Sequence, residues 1–328
     1  MAEPLLAIRD LRTYFISKDT EVHAVDGIDI DVQKGQIVCI VGESGSGKSM
    51  TSLSIMRLVP QPRGKIVSGE IVLDGVDLIG LTENQMTEVR GNDISMIFQE
   101  PMTALNPVLT IGDQITEVLI RHRRITKKDA LKRAVDMLKF VGVPRAEQIV
   151  NDYPHQLSGG LRQRAMIAMA MVCEPKLLIA DEPTTALDVT IQAQVLELMR
   201  KMREDFGTAI ILITHDLGVV ADMADHVVVM YAGQVVESVN ADELFDNPTH
   251  PYTKALLQSI PSIETETAVL YSIPGTVPDA AAFPVGCRFA DRCPLAQPSC
   301  FEKAPQLREL RPGHFVRCDV VGEGGTLL

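Results

Sequence analysis

Short runs of alternating apolar and polar residues fill the first hundred positions of the chain. Such runs, separated by turn residues, are typical of β-strands. They predict strands in the segments LLAIRDLRTYF, HAVDGIDIDV, IVCIVG, SGEIVLDG and ISMIF. The segment MTSLSIMRLV, which follows Ser49, has apolar residues three and four positions apart and is predicted to be helical.

Helical spacing dominates from Thr110 to Val141 and returns in the segment LRQRAMIAMAMVC. Short apolar runs follow in LLIAD, AIILITHD and HVVVMYAG, and the helical segment IQAQVLELMRKMRED lies between the first two. Because strands that alternate with helices usually pair in parallel, the pattern predicts an α/β fold built on a parallel sheet.

The texture of the sequence changes beyond about residue 240, where proline-rich segments and a cluster of cysteines begin. We interpret residues 1–240 as one domain and residues 241–328 as a separate C-terminal extension. A length of 328 residues agrees with two units, since a domain commonly takes roughly 150 residues.

The charge and hydropathy of the chain narrow the classes of function. Lys and Arg number 31 against 43 Asp and Glu, and the net charge of −12 argues against broad, nonspecific attraction to nucleic acid. No apolar stretch approaches the ~18 residues that a transmembrane helix needs, so a membrane role is expected to come through partners. The N-terminal segment MAEPLLAIRD has no apolar core of signal-peptide length, which predicts a cytosolic location.

The segment GESGSGKS matches the phosphate-loop pattern G-x-x-x-x-G-K-[ST] between a predicted strand and a predicted helix. Glycines allow backbone conformations that a Cβ forbids, so successive N–H groups can point at phosphate oxygens. Lys48 would supply a positive charge to the β and γ phosphates, and the Ser49 hydroxyl would ligate Mg²⁺. The flanking pattern disfavours the alternative, a glycine-rich turn with an incidental lysine. The predicted nucleotide-binding residues of this loop are Gly42, Glu43, Ser44, Gly45, Ser46, Gly47, Lys48 and Ser49.

The apolar run in KLLIADEP ends in two carboxylates. Adjacent strand residues point to opposite sides, so the two can hold different roles. Asp181 would help to hold Mg²⁺, and Glu182 would polarise the attacking water. An ordinary acidic turn is the alternative, but the phosphate loop upstream makes it less favourable.

The segment LSGG, followed by LRQR, completes a set of motifs that resembles the nucleotide-binding subunits of ABC transporters over residues 1 to about 240. The resemblance implies a P-loop NTPase with a RecA-like core, an antiparallel β subdomain and a helical subdomain inserted at about residues 100–172. It also implies hydrolysis of ATP with Mg²⁺ by a dimer. In this family the signature residues contact the partner subunit's ATP, and here they are Leu157, Ser158, Gly159 and Gly160.

The resemblance assigns roles to further single positions. Gln99 resembles the residue that touches Mg²⁺ or the water and reports occupancy to the membrane partner. Asp188 resembles the acid at the dimer contact. His215, directly after a predicted strand, resembles the switch histidine that bonds the γ-phosphate and supports Glu182.

An aromatic residue near the N-terminus is expected to stack on adenine in this family. Tyr14 and Phe15 are adjacent on a predicted strand, so only one of them can face the ring. Spacing relative to the family favours Phe15, and Tyr14 would then belong to the core.

Further segments resemble the dipeptide and oligopeptide importer ATPases, namely FQEPMTALNPVLTIGDQITE, YPHQLSGGLRQR, DEPTTALDVTIQAQ, MYAGQVVE and HPYTKALLQSIP. This resemblance implies two transmembrane permease subunits as partners, a second ABC ATPase subunit of the same or a sister chain, and an extracytoplasmic peptide-binding protein. It places the chain at the cytoplasmic face of the membrane, with residues 101–125 near the membrane partner. Related importers carry nickel, glutathione or sugars, so the solute stays open.

A soluble ABC ATPase that acts on DNA or ribosomes is the rival class. Such proteins usually carry long coiled-coil insertions or two nucleotide domains. This chain shows one such domain and no sustained heptads.

Four cysteines of the extension, Cys287, Cys293, Cys300 and Cys318, have the spacing C-x5-C-x6-C-x17-C. Stable disulfides are disfavoured in a cytosolic chain, and structural zinc sites usually show closer cysteine pairs. Pro294 after Cys293 is familiar around iron–sulfur ligands. The resemblance to peptide importer subunits implies a [4Fe–4S] cluster, with zinc or unligated thiols as the alternatives.

Overall fold

A computed structural model of the chain describes residues 3–99, 104–185, 188–259 and 271–322. The strands are β1 (Leu6–Ile16), β2 (Glu21–Val32), β3 (Ile37–Val41), β4 (Gly64–Leu73), β5 (Val76–Asp77), β6 (Ile94–Ile97), β7 (Leu177–Asp181), β8 (Ala209–Ile213), β9 (His226–Tyr231), β10 (Gln234–Asn240), β11 (Arg308–Arg311) and β12 (His314–Val316). The helices are α1 (Lys48–Ile55), α2 (Glu83–Val89), α3 (Ile111–Arg123), α4 (Lys127–Phe140), α5 (Ala146–Ile149), α6 (Gly159–Met171), α7 (Val189–Phe206), α8 (Leu217–Met223), α9 (Ala241–Asp246), α10 (Pro251–Gln258) and α11 (Pro298–Glu302). Residues 101–103 of the predicted membrane-partner region, and residues 186–187 of the motif before Asp188, lie outside the described residues.

The chain forms two compact units. The first comprises Gln33–Gln36 and Gly80–Ile213, and the second comprises Ala2–Val32, Ile37–Ile79 and Thr214–Leu328. Residues on both sides of position 240 therefore belong to the second unit.

The first unit contains parallel strands in the order β6, β7, β8. Their residues are buried, so each strand is a continuous apolar run, as is usual for strands covered on both faces. Helices α3, α4 and α6 pack against one another within the same unit. Thr110 and Thr126 cap the starts of α3 and α4, and each side chain accepts a hydrogen bond from the third residue beyond it. The parallel pairing predicted from the sequence is confirmed for these strands.

The second unit contains an antiparallel sheet in the order β2, β1, β4, β5. Leu6 of the central strand β1 pairs with Val32 on one side and with Leu73 on the other. This sheet uses the alternating segments at the start of the sequence, and Leu6, Ile8, Leu11 and Ile28 are its fully buried apolar residues of largest volume along β1 and β2.

The second unit also contains β3, which pairs in parallel with β9. Strand β10 pairs with β9, and the two strands of the C-terminal extension continue outward in the order β12 and β11. Glu237 pairs with Val316, and Ser238 pairs with Phe315. The extension is thus joined to the outer edge of β10. Across the described part of the chain, no helix combines the length and the hydrophobicity required to cross a bilayer.

A fully buried carboxylate anchors the extension to β10. Glu237 accepts hydrogen bonds from the backbone N–H of Thr249 and of His250, each at 2.9 Å, and lies 2.8 Å from Nε2 of His314. Burial alone would raise the pKa of Glu237, but the bonds from His314 and from its other donors outweigh it and lower the pKa. The carboxylate is therefore held in its charged form.

Two histidines, the buried His250 and the partly buried His226, predict that the second unit loses stability in mild acid. Burial lowers the pKa of both His226 and His250 to about 4, from an ordinary value of 6.5. Between pH 6.5 and about pH 4 the unfolded chain therefore binds more protons than the folded chain. The free energy of unfolding is at its highest above pH 6.5 and falls as the pH drops through this range. Between about pH 7.5 and 5.5 we expect a loss of about 1.3 kcal/mol per histidine, measured by urea unfolding.

His250→Asn supplies the control for this prediction. Asparagine keeps an acceptor at the start of α10, where Nδ1 of His250 accepts from the N–H of Tyr252, but it does not titrate. The loss between the two pH values should fall by about half in this variant, because one of two such groups is gone. An unchanged loss would contradict the assignment to His250.

Candidate nucleotide site

The loop between β3 and α1 has the backbone that its glycines predict. Gly42, Gly45 and Gly47 have φ values of 147°, 77° and 101°. Gly47 is the N-cap of α1 in a left-handed conformation, and, having no side chain, it makes no side-chain cap bond to the helix. A helix start without a side-chain cap is typical of helix ends that bind anions.

Two of these glycines also lie against backbone. A Cβ at Gly42 would clash with the carbonyl oxygen of Met230, and a Cβ at Gly47 would lie 2.5 Å from the carbonyl oxygen of Ala24. Real Cβ atoms do not approach this closely, so the loop needs glycine at both positions for space as well as for φ.

Lys48 is buried at the base of the loop. Its Nζ donates to the carbonyl oxygen of Gly42 at 2.7 Å and to that of Glu43 at 3.0 Å. The hydroxyl of Ser46 is buried and has no hydrogen-bond partner among the described residues. Ser44, Gly45 and Ser49 are exposed. A cation, an orphaned hydroxyl and an uncapped helix start suit a phosphate group.

The first unit brings together Gln99 and Glu182. Nε2 of Gln99 donates to Oε2 of Glu182 at 2.9 Å, and the hydroxyl of Thr185 donates to the same oxygen at 2.9 Å. Glu182 has a φ of 47°, a conformation that non-glycine residues rarely adopt and that clusters at functional sites. Asp181, which precedes it, is buried at the end of β7. The carboxylate of Glu182 is thus oriented by two donors.

The signature residues begin helix α6. Leu157 is buried, whereas Ser158 and Gly159 are exposed. Ser158 is the N-cap of the helix, and its hydroxyl accepts from the N–H of Leu161 at 3.4 Å. The predicted role of these residues at a partner's nucleotide stays a prediction.

Asp188 likewise begins a helix. It is exposed and is the N-cap of α7, where its carboxylate accepts from the N–H of Ile191 at 2.9 Å. An added Cβ at Gly160 would lie 3.6 Å from the Ile191 side chain, an ordinary contact distance. The starts of α6 and α7 therefore lie against each other.

His215 lies in the second unit, exposed and two residues after β8. Asp216, directly after it, caps α8 by accepting from the N–H groups of Gly218 and Val219. The switch role of His215 stays a prediction, as do the Mg²⁺ roles of Ser49, Gln99 and Asp181. The oxygen donors in this set are of the kind that Mg²⁺ prefers.

Tyr14 and Phe15 differ in environment. Tyr14 is 9% exposed, stacks on His23 with ring centroids 4.0 Å apart, and donates its hydroxyl to Asp26 at 2.6 Å. Phe15 is only partly buried. The Tyr14 side chain is therefore occupied by contacts with His23 and Asp26. Phe15 stays the predicted adenine contact.

The structure does not support the predicted metal cluster of the extension. Three of its cysteines, Cys287, Cys300 and Cys318, line a cavity of about 20 Å³, which has room for about one water. Burial raises the pKa of the Cys287 thiol to about 11 and also raises the pKa of Cys293 and of Cys318. Within the described ranges, no group of three or more His, Cys, Asp or Glu side chains is placed to hold a metal ion. Among the described residues, the arrangement of these thiols therefore gives no support to a [4Fe–4S] cluster or to zinc.

The sequence did not indicate two side chains that contact the phosphate loop. The Tyr252 hydroxyl accepts from the N–H of Glu43 at 2.8 Å, and Arg292 forms an ion pair with the Glu43 carboxylate at 2.7 Å. Both come from the extension. A buried arginine next to a cysteine carries no local pattern that would have revealed this contact.

Comparison with known proteins agrees with this geometry. Residues 25–185 match the ABC transporter family, and residues 236–300 match the family described as oligopeptide/dipeptide transporter, C-terminal region. The chain is 58% identical over 322 residues to the oligopeptide transport ATP-binding protein AppD of Bacillus subtilis (strain 168), with 98% of each chain covered. It is 52% identical over 314 residues to OppD, an oligopeptide transport ATP-binding protein of the same organism, with 95% of this chain and 88% of OppD covered.

A solved structure shows the same fold. The dimeric ATP-binding cassette MJ0796, in a post-hydrolysis state bound to ADP and Pi, matches with a TM-score of 0.65 at 27% identity, over 72% of this chain and 98% of that one. The fold is that of an ABC ATPase cassette. Because it is 58% identical to AppD over 98% of its length, the chain belongs to the ABC transporter family of ATP-hydrolysing, ATP-binding proteins. Within that family it is in the group that carries the oligopeptide/dipeptide transporter C-terminal region.

Proposed function

We propose that the chain is the ATPase subunit that powers the import of dipeptides or oligopeptides through an ABC transporter. The observation that carries this proposal is the pairing of a cassette with the 236–300 match to peptide transporters. The names of the relatives AppD and OppD, both oligopeptide transport proteins, support the same solute.

The site residues divide the chemistry among them. Lys48 and the N–H groups of the loop hold the β and γ phosphates, and Glu182 orients the attacking water. Ser49, Gln99 and Asp181 would hold Mg²⁺, which neutralises phosphate charge when bound. The exposed Ser158 and Gly159 are free of the core and would meet the nucleotide of a second ATPase subunit. Closure of two such chains on ATP, and reopening after hydrolysis, would drive the transport cycle.

The resemblance to peptide importers supports a set of partners for this subunit. Two transmembrane permease subunits, a second ABC ATPase subunit and an extracytoplasmic peptide-binding protein complete the importer, and the chain is held peripherally at the cytoplasmic face of the membrane. The region 104–125 is our candidate for the permease contact, and its Val108 is 75% exposed. An exposed apolar side chain of this kind is available to a partner.

Co-purification from membranes tests the assembly. We expect a tagged chain to bring down two channel subunits and a second ATPase, and the reconstituted complex to take up a labelled dipeptide with ATP. Competition by unlabelled peptides, Ni²⁺, glutathione or sugars identifies the solute. If only Ni²⁺, glutathione or a sugar suppresses uptake, that compound and not a peptide is the transported solute. Recovery of ribosomes or DNA instead of channel subunits would overturn the transporter assignment.

The cysteine cluster stays a prediction from sequence resemblance alone. Its proposed [4Fe–4S] cluster, or zinc as the alternative, has no part in the chemistry above. Measurement of the iron, zinc and acid-labile sulfide content of the anaerobically purified chain distinguishes a bound metal from unligated thiols.

A further inference from the structure

Glu43 of the phosphate loop is fixed from three directions. Its carbonyl oxygen accepts from Nζ of Lys48 at 3.0 Å, and its N–H donates to the Tyr252 hydroxyl at 2.8 Å. Its two carboxylate oxygens accept from Nη1 and Nη2 of Arg292 at 2.7 and 3.0 Å. The residue that holds the loop lysine is thus itself held by the C-terminal extension.

Arg292 is a rigid partner rather than a surface cation. Its side chain is 4% exposed, and its remaining donor capacity is used by fixed acceptors. Nε donates to the carbonyl oxygen of Pro274 at 2.9 Å, Nη2 to that of Ile273 at 3.3 Å, and Nη1 to the Tyr231 hydroxyl at 3.2 Å. A two-pronged guanidinium–carboxylate pair that is mostly buried fixes geometry far better than an exposed pair.

Three buried aromatic rings set the positions of these donors and acceptors. Tyr231, Tyr252 and Phe289 are at most 2% exposed. Their ring centroids lie 4.6 Å apart for Tyr231 and Tyr252, 5.2 Å for Tyr231 and Phe289, and 5.4 Å for Tyr252 and Phe289. Because side chains in close-packed cores are held in rotamer minima, this packing restrains the position of the Tyr252 hydroxyl.

We propose that Arg292 and Tyr252 are positioning residues that preorganise the phosphate loop, so that the affinity of the cassette for nucleotide depends on the docked C-terminal extension. The inference rests on the nucleotide-binding role of the loop. A loop already held in its binding conformation loses less conformational freedom when phosphate binds, which raises affinity. The carbonyl oxygen of Glu43 also accepts from Nζ of Lys48. If Arg292 and Tyr252 no longer hold Glu43, this oxygen can move and Lys48 loses a contact that fixes its position.

The test compares full-length variants of Arg292. Arg292→Gln is expected to weaken MgADP binding about tenfold, equivalent to about 1.4 kcal/mol of lost preorganisation. The KM for ATP should rise in the same proportion while kcat changes little, because no group that contacts the reacting atoms is removed. Arg292→Lys should recover only part of the affinity, since an ammonium cannot form the two-pronged pair.

Arg308→Gln is the matched control. Arg308 donates to the carbonyl oxygens of Cys318 and Val321 within the extension. Its loss should lower the thermal midpoint without nucleotide but leave the Kd for MgADP within about twofold of the parent. A stability loss that weakened binding as strongly as Arg292→Gln would overturn the proposal, because the effect would then be general.

A double variant separates the pair from its parts. Glu43→Gln and Arg292→Gln remove the same interaction, so the double variant should bind MgADP about as weakly as either single variant. Losses that multiply would contradict coupling through this pair. If Arg292→Gln does not fold, Tyr252→Phe removes only the hydroxyl and is expected to weaken binding about threefold. Affinity equal to that of the parent in the folded variants would overturn the inference, whereas a parent chain that binds no MgADP would refute the nucleotide role itself.

Discussion

Glu182→Gln is expected to lower ATP turnover at least about a hundredfold in the assembled complex while nucleotide affinity stays within about twofold. Glutamine has the shape of glutamate and can keep the contacts with Gln99 and Thr185, which now reach Oε2 at 2.9 Å. It cannot accept a proton from the attacking water. Phosphate release and MgATP binding, measured on the same preparation, separate the two effects.

Glu174→Gln is the control for this substitution. Glu174 is also in the first unit and also has a positive φ, 50° against 47° for Glu182, but it is exposed and lies outside the site. The same chemical change in the same backbone conformation should leave turnover unchanged. Full phosphate release by Glu182→Gln would contradict the proposed role of this residue in activating the attacking water.

Gly47→Ala is expected to weaken MgADP binding about a hundredfold, which corresponds to roughly 2.8 kcal/mol. The alanine must adopt a φ of 101°, and its Cβ would lie 2.5 Å from the carbonyl oxygen of Ala24. The loop has to shift to relieve the clash, and its N–H groups then no longer converge on phosphate. Calorimetric titration with MgADP measures the loss.

Gly75→Ala isolates the contribution of backbone conformation. Gly75 has a φ of 82°, and a Cβ there would meet no atom of the described residues within 4 Å. This variant should lower stability by about 1 kcal/mol, the cost of a left-handed alanine, and leave affinity unchanged. Equal affinities for Gly47→Ala and the parent would show that the loop tolerates a Cβ and that its glycines have another purpose.

Local patterns were enough to predict the framework of the site. The glycine spacing of the loop, the apolar strand before Asp181 and the helical spacing after Thr110 all depend on neighbours a few residues apart. These segments have the predicted structure. Strand alternation also predicted that only one of Tyr14 and Phe15 faces a ligand, and this stays a prediction. The contact that distinguishes the two residues is not local, because Asp26 binds the Tyr14 hydroxyl from the neighbouring strand.

The extension could not be predicted in the same way. Strands β11 and β12 have only four and three residues, too few to show a period. The pair between Glu43 and Arg292 joins residues 249 positions apart, and neither residue type marks such a contact in the sequence. The resemblance to peptide importer subunits implied a metal cluster at the four cysteines, and the arrangement of the described thiols does not support it.

The pairing of β12 with β10 has a practical consequence for anyone who trims this protein. Backbone hydrogen-bonding groups at Glu237 and Ser238 now face Val316 and Phe315. A chain cut before residue 308 would leave those groups as a bare strand edge, which readily recruits another polypeptide. Precipitates of such a shortened chain would then report on intermolecular β-pairing and would say nothing about its chemistry.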